Sequence, residues 1–372
     1  CTDDFEKLNT SNIQVDPADL PFAAQCTEPM TYCYPPQQNM FQFWTNLTID
    51  LYGGYFMTPN GNFTNGDMGE NRGHSGGMYE NYYLHIFNNT RRIIAQCDAS
   101  GERGLSGVMR IVQAYGTLMT TDAYGPIPYS SILSGENEVY FEFDSQKDLY
   151  KAMLEDLSTA ITDISAMGAD EIAKLKSFDC WCNGDKDLWV KIANTMKLRM
   201  ALRLSKRETE AGNAGMNLKA IATEAAQNTL ATVNKDILID KSLENEMWLM
   251  FNWGDCGFNA NLVTIMSGTK DPRQPLYMTL NTGDIKNEAG TTTVAASGLP
   301  AKPNSWGNFS GWIQGNNGSS YSMPLPIMKA AEAYFLLAEA KLRWDIGSES
   351  VKNLYENGIR VSMTNELAYR GA

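Results

Sequence analysis

Adjacent pairs of helical stripes are the feature that most constrains how this chain can fold. One stripe consists of five apolar residues spaced three or four apart: Leu149, Met153, Leu157, Ile161 and Ile164. This spacing places them on one face of an α-helix. Comparable stripes recur in other segments: 78–97, 105–121, 189–207, 218–225, 326–342 and 351–359. Paired helices joined by short turns are typical of tetratricopeptide-like superhelices, so the sequence predicts a mainly α fold, although no strict repeat period is visible.

The last two helices receive specific predictions. The first is expected to begin at Pro326 or Ile327, and the second to be capped by Ser348. Four apolar residues of the second helix are predicted to face inward: Val351, Leu354, Tyr355 and Ile359.

The domain organisation follows from where this periodicity is absent. Residues 1–37 are polar and rich in proline, which predicts a leader that runs over the surface, partly extended. A single domain is predicted over 38–372, beginning with a helix from Gln38 to about Leu51. Its two irregular insertions, 53–77 and 240–323, are rich in Gly and Asn. Loops this long inside a compact domain are usually functional.

Short strands are predicted within the second insertion, for example Met247–Met250 and Tyr277–Leu280. Two smaller features are predicted to be scaffold, meaning that they stabilise the fold and do not bind a ligand. Gly125 is expected to take a positive φ in a turn after a helix. Asp271 and Arg273 are expected to pair with each other or with the backbone.

The first residue, Cys1, is followed closely by the acidic residues Asp3, Asp4 and Glu6. A chain that begins at cysteine is typical of bacterial lipoproteins, whose signal peptide is removed just before the cysteine that carries the lipid. We therefore predict lipidation at Cys1. The alternative is a chain cut there by chance.

The charge of the chain excludes some classes of partner. The formal net charge is −13, which argues against nucleic acid because phosphate binding requires Lys and Arg on one face. The same charge opposes docking on anionic lipid, so membrane attachment is expected through the lipid anchor alone. No apolar run is long enough to span a bilayer. The six cysteines beyond Cys1 permit disulfides without requiring them.

Catalytic motifs are absent from the sequence. The chain has two histidines, His74 and His85, and neither belongs to a zinc-protease pattern. No nucleophile elbow, phosphate-binding loop or dinucleotide fingerprint occurs. A glycosidase needs two carboxylates that converge on one sugar bond, and sequence alone leaves that alternative open. The prediction is a protein that is not an enzyme.

Aromatic residues concentrate in the Gly- and Asn-rich insertions, which favours a sugar-binding surface. A flat ring can face a pyranose while amides and carboxylates hydrogen-bond its hydroxyls. The alternative is that these loops fold down and pack. The candidate ligand-binding residues come from both insertions: Tyr55, Phe63, Asp67, Asn71, Arg72, Trp253, Asn259, Trp306, Phe309 and Trp312. No cofactor is expected, and calcium, if needed, would bind among the Asp and Asn residues of 60–71 without an EF-hand.

Three segments in order resemble the SusD/RagB outer-membrane glycan-binding lipoproteins of Bacteroidetes. They are TTDAYGPIPYSS at 120–131, KDPRQPLYM at 270–278, and EAYFLLAEAKLRWDIGSESVKNLYENGIRVSM at 332–363. The N-terminal CTDDFE is similar to the family's lipidated start. Members of that family extend well beyond the last of these motifs, so the resemblance implies that the C-terminal part of the family is missing here.

The resemblance implies a function as well as a fold. Such a protein would bind oligosaccharides at the cell surface and pass them to a TonB-dependent (SusC-like) outer-membrane transporter, with tetratricopeptide-like helices as scaffold. Two alternatives stay open: a helical scaffold that binds only a protein or peptide ligand, and a glycoside hydrolase.

Overall fold

The computed structural model describes residues 20–34, 38–58, 71–134, 140–239, 257–280, 307–309 and 325–369. Helices dominate these ranges, which confirms the predicted mainly α fold. The first helices are α1 (Phe22–Tyr32), α2 (Gln38–Met40, π-helical Phe41–Ile49 and Asp50–Tyr52), α3 (Arg72–Ser75), α4 (Gly77–Asn81, π-helical Tyr82–Phe87 and Asn88–Ser100), α5 (Arg103–Tyr124) and α6 (Ser130–Leu133).

The remaining helices continue in the same order along the chain. They are α7 (Gln146–Ser165), α8 (Ala169–Lys176), α9 (Lys186–Arg203), α10 (Glu208–Asn213), α11 (Leu218–Ala225), α12 (Ala260–Thr269), α13 (Gln274–Tyr277), α14 (Ala330–Trp344) and α15 (Val351–Tyr369).

Strands in the described ranges form four antiparallel pairs. They are β1 (Phe56–Met57) with β5 (Gly257–Phe258), β2 (Ile127–Pro128) with β3 (Phe143–Asp144), β4 (Ile237–Ile239) with β8 (Leu325–Met328), and β6 (Met278–Leu280) with β7 (Gly307–Phe309). Strand β6 agrees with the prediction for Tyr277–Leu280, whereas Met247–Met250 lies outside the described residues.

Helix α5 is the centre of the main core. It packs against α4 on one side and α7 on the other, and most of its 22 residues are buried. Two glycines permit this close approach. A Cβ on Gly107 would lie 3.2 Å from the backbone of Ala160, and one on Gly116 would lie 2.8 Å from Ile86. Helix α9 packs against α7 and α11, while α14 and α15 form a hairpin, so the helices stack in pairs as predicted.

Part of the segment predicted to run over the surface is helical and buried. Residues 22–32 form α1, and Cys26 and Met30 are fully buried in the main core. The Trp181 indole N–H donates to the Met30 carbonyl at 3.1 Å, which ties this helix to the turn before α9. The apolar residues Cys26 and Met30 lie four apart, so one face of a short helix can bury both.

The predicted start of the penultimate helix is wrong. Pro326 lies in strand β8, opposite Leu238, and α14 begins at Ala330. Proline lacks an N–H and is tolerated in an edge strand, where that donor is not needed. The Ala330 N–H donates to Asp236 Oδ1 at 2.8 Å, so a carboxylate from another segment fixes where the helix begins.

The last helix differs from the prediction in its cap and in its faces. Ser350, rather than Ser348, caps it, because Ser350 Oγ accepts from the Asn353 N–H at 3.1 Å. Leu354 is buried as expected. Tyr355 and Ile359 are 56% and 37% exposed, so the prediction that they face inward is wrong.

Both predictions about scaffold are confirmed. Gly125 ends α5 with a φ of 78°, a conformation that favours glycine. The expected pairing between Asp271 and Arg273 is present, because the Arg273 guanidinium donates to both carboxylate oxygens of Asp271, at 2.9 and 2.5 Å.

Candidate functional site

The two insertions predicted from sequence meet around a second, smaller core. Strand β1 from the first insertion pairs with β5 from the second, with Phe56 opposite Phe258. The buried residues of this core come from five elements, namely α2, β1, β5, α12 and β6: Leu47, Leu51, Phe56, Phe258, Val263, Met266 and Met278. The described parts of both insertions are therefore held on one apolar support, next to helix α2.

Tyr55 is displayed at the edge of this second core. Its side chain is 55% exposed, and its ring lies against Gly53, where a Cβ would be 2.9 Å from two ring carbons. The neighbouring Gly54 has a φ of 71°, which glycine adopts without strain. The Gly53–Gly54 turn therefore holds an exposed tyrosine ring against the backbone, as a sugar-stacking residue requires.

Asn259 has a structural role where the sequence predicted a ligand contact. It is only 3% exposed, and its Oδ1 accepts from the Asn261 N–H at 2.9 Å, which caps α12. Its backbone N–H donates to the Tyr55 carbonyl at 3.0 Å. Asparagine is favoured at helix N-caps for this reason, and in this arrangement its amide supports the loop that carries Tyr55.

Asn71 and Arg72 lie at the start of α3, near the C-terminal end of the first insertion in the sequence. Asn71 Oδ1 accepts from the His74 N–H at 3.3 Å, and Arg72 is exposed. Phe309 is described only as backbone, in β7 opposite Met278. The other predicted residues lie outside the described part of the chain: Cys1, Phe63, Asp67, Trp253, Trp306 and Trp312.

A cavity of about 430 Å³ opens between α2, the α3–α4 segment and the end of α5. We call it the tyrosine cavity. Three aromatic side chains contribute to its walls: Trp44 is 4% exposed, Tyr52 is 38% exposed, and Tyr124 is half-buried. Its nine lining residues are Trp44, Thr48, Ile49, Tyr52, Asn71, Ser75, Met78, Ala123 and Tyr124. None of these nine side chains is charged.

The chemistry of the tyrosine cavity suits an uncharged, polyhydroxylated ligand. Thr48, Asn71 and Ser75 supply hydroxyl and amide groups, while the aromatic rings supply flat apolar surface. The Tyr124 hydroxyl donates to the Ser75 carbonyl, which joins the two walls. Of the residues predicted from sequence, only Asn71 lines this cavity.

Sequence reasoning missed most of the cavity for an identifiable reason. Trp44, Thr48 and Tyr52 are spaced four apart on α2, so they share one helix face. That spacing was a usable signal for an aromatic stripe, but a helical stripe usually faces the core. Tyr124 belongs to a segment recognised only as scaffold. Its approach to α2 depends on tertiary packing that the sequence does not show.

A second cavity of about 430 Å³ lies between the first part of α2 and the α3–α4 segment. We call it the glycine cavity. Its lining residues are Asn39, Met40, Phe43, Gly73, His74, Gly76, Gly77, Tyr79 and Glu80. The rings of Phe43 and His74 stack with centroids 4.5 Å apart and planes 5° apart. Burial lowers the pKa of His74, which favours its neutral form.

The pKa of one carboxylate near the cavities is shifted from its usual value. Burial on α2 raises the pKa of Asp50 to about 7, and a hydrogen bond with Asn46 opposes part of that shift. The Asp50 carbonyl also accepts from the Tyr55 N–H at 3.0 Å. Asp50 is therefore a structural neighbour of the displayed tyrosine whose charge depends on pH near neutrality.

Within 20–34, 38–58, 71–134, 140–239, 257–280, 307–309 and 325–369, no three His, Cys, Asp or Glu side chains are placed to hold a metal ion. In those same ranges, no helix combines the length and the apolar character that crossing a membrane requires.

Comparison with known proteins now places the chain. The family model for SusD-like proteins, described as SusD and RagB outer membrane lipoproteins, matches residues 6–370. The chain belongs to the SusD-like family. This confirms the resemblance noted in the sequence. None of the curated proteins matches the chain.

Solved structures of other SusD-like proteins share this fold. A SusD-like protein from Bacteroides thetaiotaomicron is 25% identical, with a TM-score of 0.71 over 94% of this chain and 72% of that one. A SusD homologue from Bacteroides ovatus is 25% identical, with a TM-score of 0.70 and the same coverage. A chitin-binding SusD homologue from Flavobacterium johnsoniae is 22% identical, with a TM-score of 0.74 over 93% and 70% of the two chains.

Proposed function

We propose that this SusD-like protein binds oligosaccharide nutrients at the cell surface without altering them and delivers them to a TonB-dependent outer-membrane transporter. In this proposal it is held at the outer membrane through lipid on Cys1. The observation that carries the proposal is the tyrosine cavity, whose walls are aromatic and uncharged. Tyr55, three residues after Tyr52 in the chain, presents a further exposed ring for a sugar chain.

The physical case rests on the match between this surface and a pyranose. Sugar rings present apolar C–H faces and a rim of hydroxyls, so they bind where flat aromatic side chains alternate with amides and hydroxyls. Tyr52 and Tyr124 provide rings, and Asn71, Thr48 and Ser75 provide hydrogen-bonding groups. Binding of this kind requires no cofactor and no covalent step. The family relationship and the chitin-binding homologue of the same fold also favour a glycan ligand.

The proposal is tested by isothermal titration of the purified protein against a panel of neutral oligosaccharides. At least one sugar is expected to bind, and Tyr52→Ala is expected to weaken that binding about tenfold, which corresponds to about 1.4 kcal/mol. Tyr140→Ala removes an 83% exposed ring outside the cavity and is the control. Equal affinity in Tyr52→Ala and wild type would remove the tyrosine cavity from the proposal. Release of shortened products from a labelled glycan would favour a hydrolase instead.

A second candidate function is a scaffold that binds only a protein. The observation that favours it is an exposed apolar patch beside the β2–β3 pair, formed by Leu133, Tyr140, Phe141 and Phe143, whose exposed fractions are 45%, 83%, 42% and 64%. Exposed patches of this kind often mark protein interfaces. Co-purification of a barrel transporter, together with no affinity for any sugar of the panel, would support this alternative.

A further inference from the structure

Three glycines within five residues line the glycine cavity: Gly73, Gly76 and Gly77. Neither backbone conformation nor packing requires them. None has a positive φ, and Gly76 has an ordinary helical φ of −71°. A Cβ on Gly77 would have no heavy atom of the described residues within 4 Å, and at Gly73 or Gly76 the nearest described atom would be at an ordinary 3.4 Å.

These glycines therefore reduce stability, and neither packing nor backbone conformation in the described fold compensates for that loss. Glycine in a helix is less favourable than alanine by about 0.5–1 kcal/mol, because its unfolded backbone has more freedom to lose. Single glycines of this kind occur elsewhere, as at Gly212 in α10. A cluster of three that faces one cavity is different, because it leaves a strip of main chain uncovered for close approach by another molecule.

The other walls of the glycine cavity indicate what that molecule is. The stacked pair of Phe43 and His74 provides aromatic surface, while Asn39 provides an amide and Glu80 a carboxylate. A carboxylate and an amide accept hydrogen bonds from sugar hydroxyls. The nine described lining residues include no Lys or Arg, so among them an anionic ligand would meet the Glu80 charge without a compensating cation.

The two cavities follow each other along the same helix. Helix α2 contributes Asn39, Met40 and Phe43 to the glycine cavity and, from the next residue onward, Trp44, Thr48 and Tyr52 to the tyrosine cavity. The α3–α4 segment forms the opposite wall of both. A glycan chain lying along α2 can therefore contact both cavities with successive sugar units.

We propose that the glycine cavity is a second sugar subsite, which takes one ring of a neutral glycan against the bare backbone of residues 73–77 and disfavours uronic acid or sulfated sugars. This inference rests on the proposed function. It adds a contact with a second sugar unit of the ligand and a preference for neutral sugars. Both can be measured separately from binding in the tyrosine cavity.

The decisive variant is Gly77→Leu, which fills the cavity from a position where an added Cβ meets no atom of the described residues within 4 Å. The probes are chitin-, cellulose- and maltose-derived disaccharides and hexasaccharides, titrated calorimetrically. In wild type, the hexasaccharide of the sugar that binds is expected to bind at least about tenfold more tightly than its disaccharide. Gly77→Leu is expected to abolish that difference while the disaccharide affinity is kept.

Stability separates this result from misfolding. Gly77→Ala replaces a helical glycine and is expected to melt at the same temperature as wild type or higher. Gly212→Leu is the matched control, because Gly212 is also helical and a Cβ there meets no atom within 4 Å. The control is expected to keep the full hexasaccharide affinity. A folded Gly77→Leu protein with wild-type affinity for the hexasaccharide would overturn the inference.

Charge selectivity gives an independent readout. Oligogalacturonate is expected to bind the wild-type protein measurably but more weakly than the neutral hexasaccharide, and Glu80→Gln is expected to raise its affinity by roughly fivefold or more, since a like charge is removed. An unchanged affinity in Glu80→Gln would contradict the inferred selectivity. If Tyr52→Ala loses neutral-sugar binding while Gly77→Leu keeps it, only the second subsite fails. If no sugar binds the wild-type protein, the proposed function fails together with the subsite.

Discussion

The backbone N–H of Asn259 donates a hydrogen bond to the carbonyl of Tyr55 at 3.0 Å. These residues are about two hundred positions apart, and each belongs to one of the two irregular insertions. The bond continues the β1–β5 pair and positions the loop that displays Tyr55. The exposed ring is therefore held by two distant segments, rather than by its own turn alone.

The cap made by Asn259 predicts a measurable loss of stability. Asn259→Ala removes the acceptor for the Asn261 N–H at the start of α12, and the free energy of unfolding is expected to fall by about 1 kcal/mol. Denaturant unfolding provides the measurement. Asn259→Ser keeps an uncharged acceptor at the same position and is expected to lose less stability than Asn259→Ala. Equal losses in both variants would argue against the cap.

Tyr55 and Tyr355 make a matched pair for testing the glycan surface. Their exposed fractions are 55% and 56%, but Tyr355 lies on the α14–α15 hairpin beside Phe335. Tyr55→Ala is expected to weaken binding of a neutral hexasaccharide by about threefold to tenfold, since a stacking face is lost. Tyr355→Ala is expected to leave calorimetric affinity unchanged. Identical effects of the two substitutions would contradict a specific role for Tyr55.

Gly53 offers a way to move that ring without removing it. A Cβ at this position would lie 2.9 Å from two carbons of the Tyr55 ring, which is closer than real side chains approach. Gly53→Ala is therefore expected to displace the ring and reduce hexasaccharide affinity in the same direction as Tyr55→Ala. In the double variant, the Gly53 substitution should have little further effect, because the two changes act on one contact. Fully additive losses would indicate that Gly53 acts elsewhere.

Stability is expected to depend on the titration of Asp50. Burial raises its pKa from 3.8 to about 7, so between these values the folded chain holds a proton that the unfolded chain has released. The contribution of Asp50 to the free energy of unfolding therefore falls as pH rises from about 4 to about 7, and it changes little above that range. Asp50→Asn cannot titrate. Its stability relative to wild type, measured by denaturant unfolding, is expected to increase from pH 5 to pH 8, and a pH-independent difference would refute the assignment.

Sequence patterns predicted the features that depend on local physics. The stripe from Leu149 to Ile164 became α7, and Gly125 took its expected positive φ, because neighbouring residues determine both. The inward face of α15 was wrong at Tyr355, because periodicity identifies a face without showing what covers it. The tyrosine cavity was missed for a related reason. It is lined by both Tyr52 and Tyr124, and the sequence does not show that α2 and the end of α5 come to one cavity.

The turn before α9 is held by one buried carboxylate, and its removal tests what stabilises the main core. The buried carboxylate of Asp179 accepts four hydrogen bonds, from the backbone N–H groups of Trp181 (3.0 Å), Cys182 (2.8 Å) and Gly184 (2.8 Å), and from the Trp189 indole N–H (2.8 Å). Asp179→Ala leaves these buried donors without an acceptor, so the free energy of unfolding is expected to fall by about 3 kcal/mol or more. Glu155→Ala removes an exposed carboxylate and is expected to change stability by less than about 0.5 kcal/mol in the same denaturant series.

The Asp179 turn is also expected to hold α1, because the Trp181 indole donates to the Met30 carbonyl. If Asp179→Ala disorders this turn, hydrogen exchange of the α1 amides should accelerate in Asp179→Ala but not in Glu155→Ala. Unchanged exchange in α1 would mean that its apolar contacts hold it without the Asp179 turn.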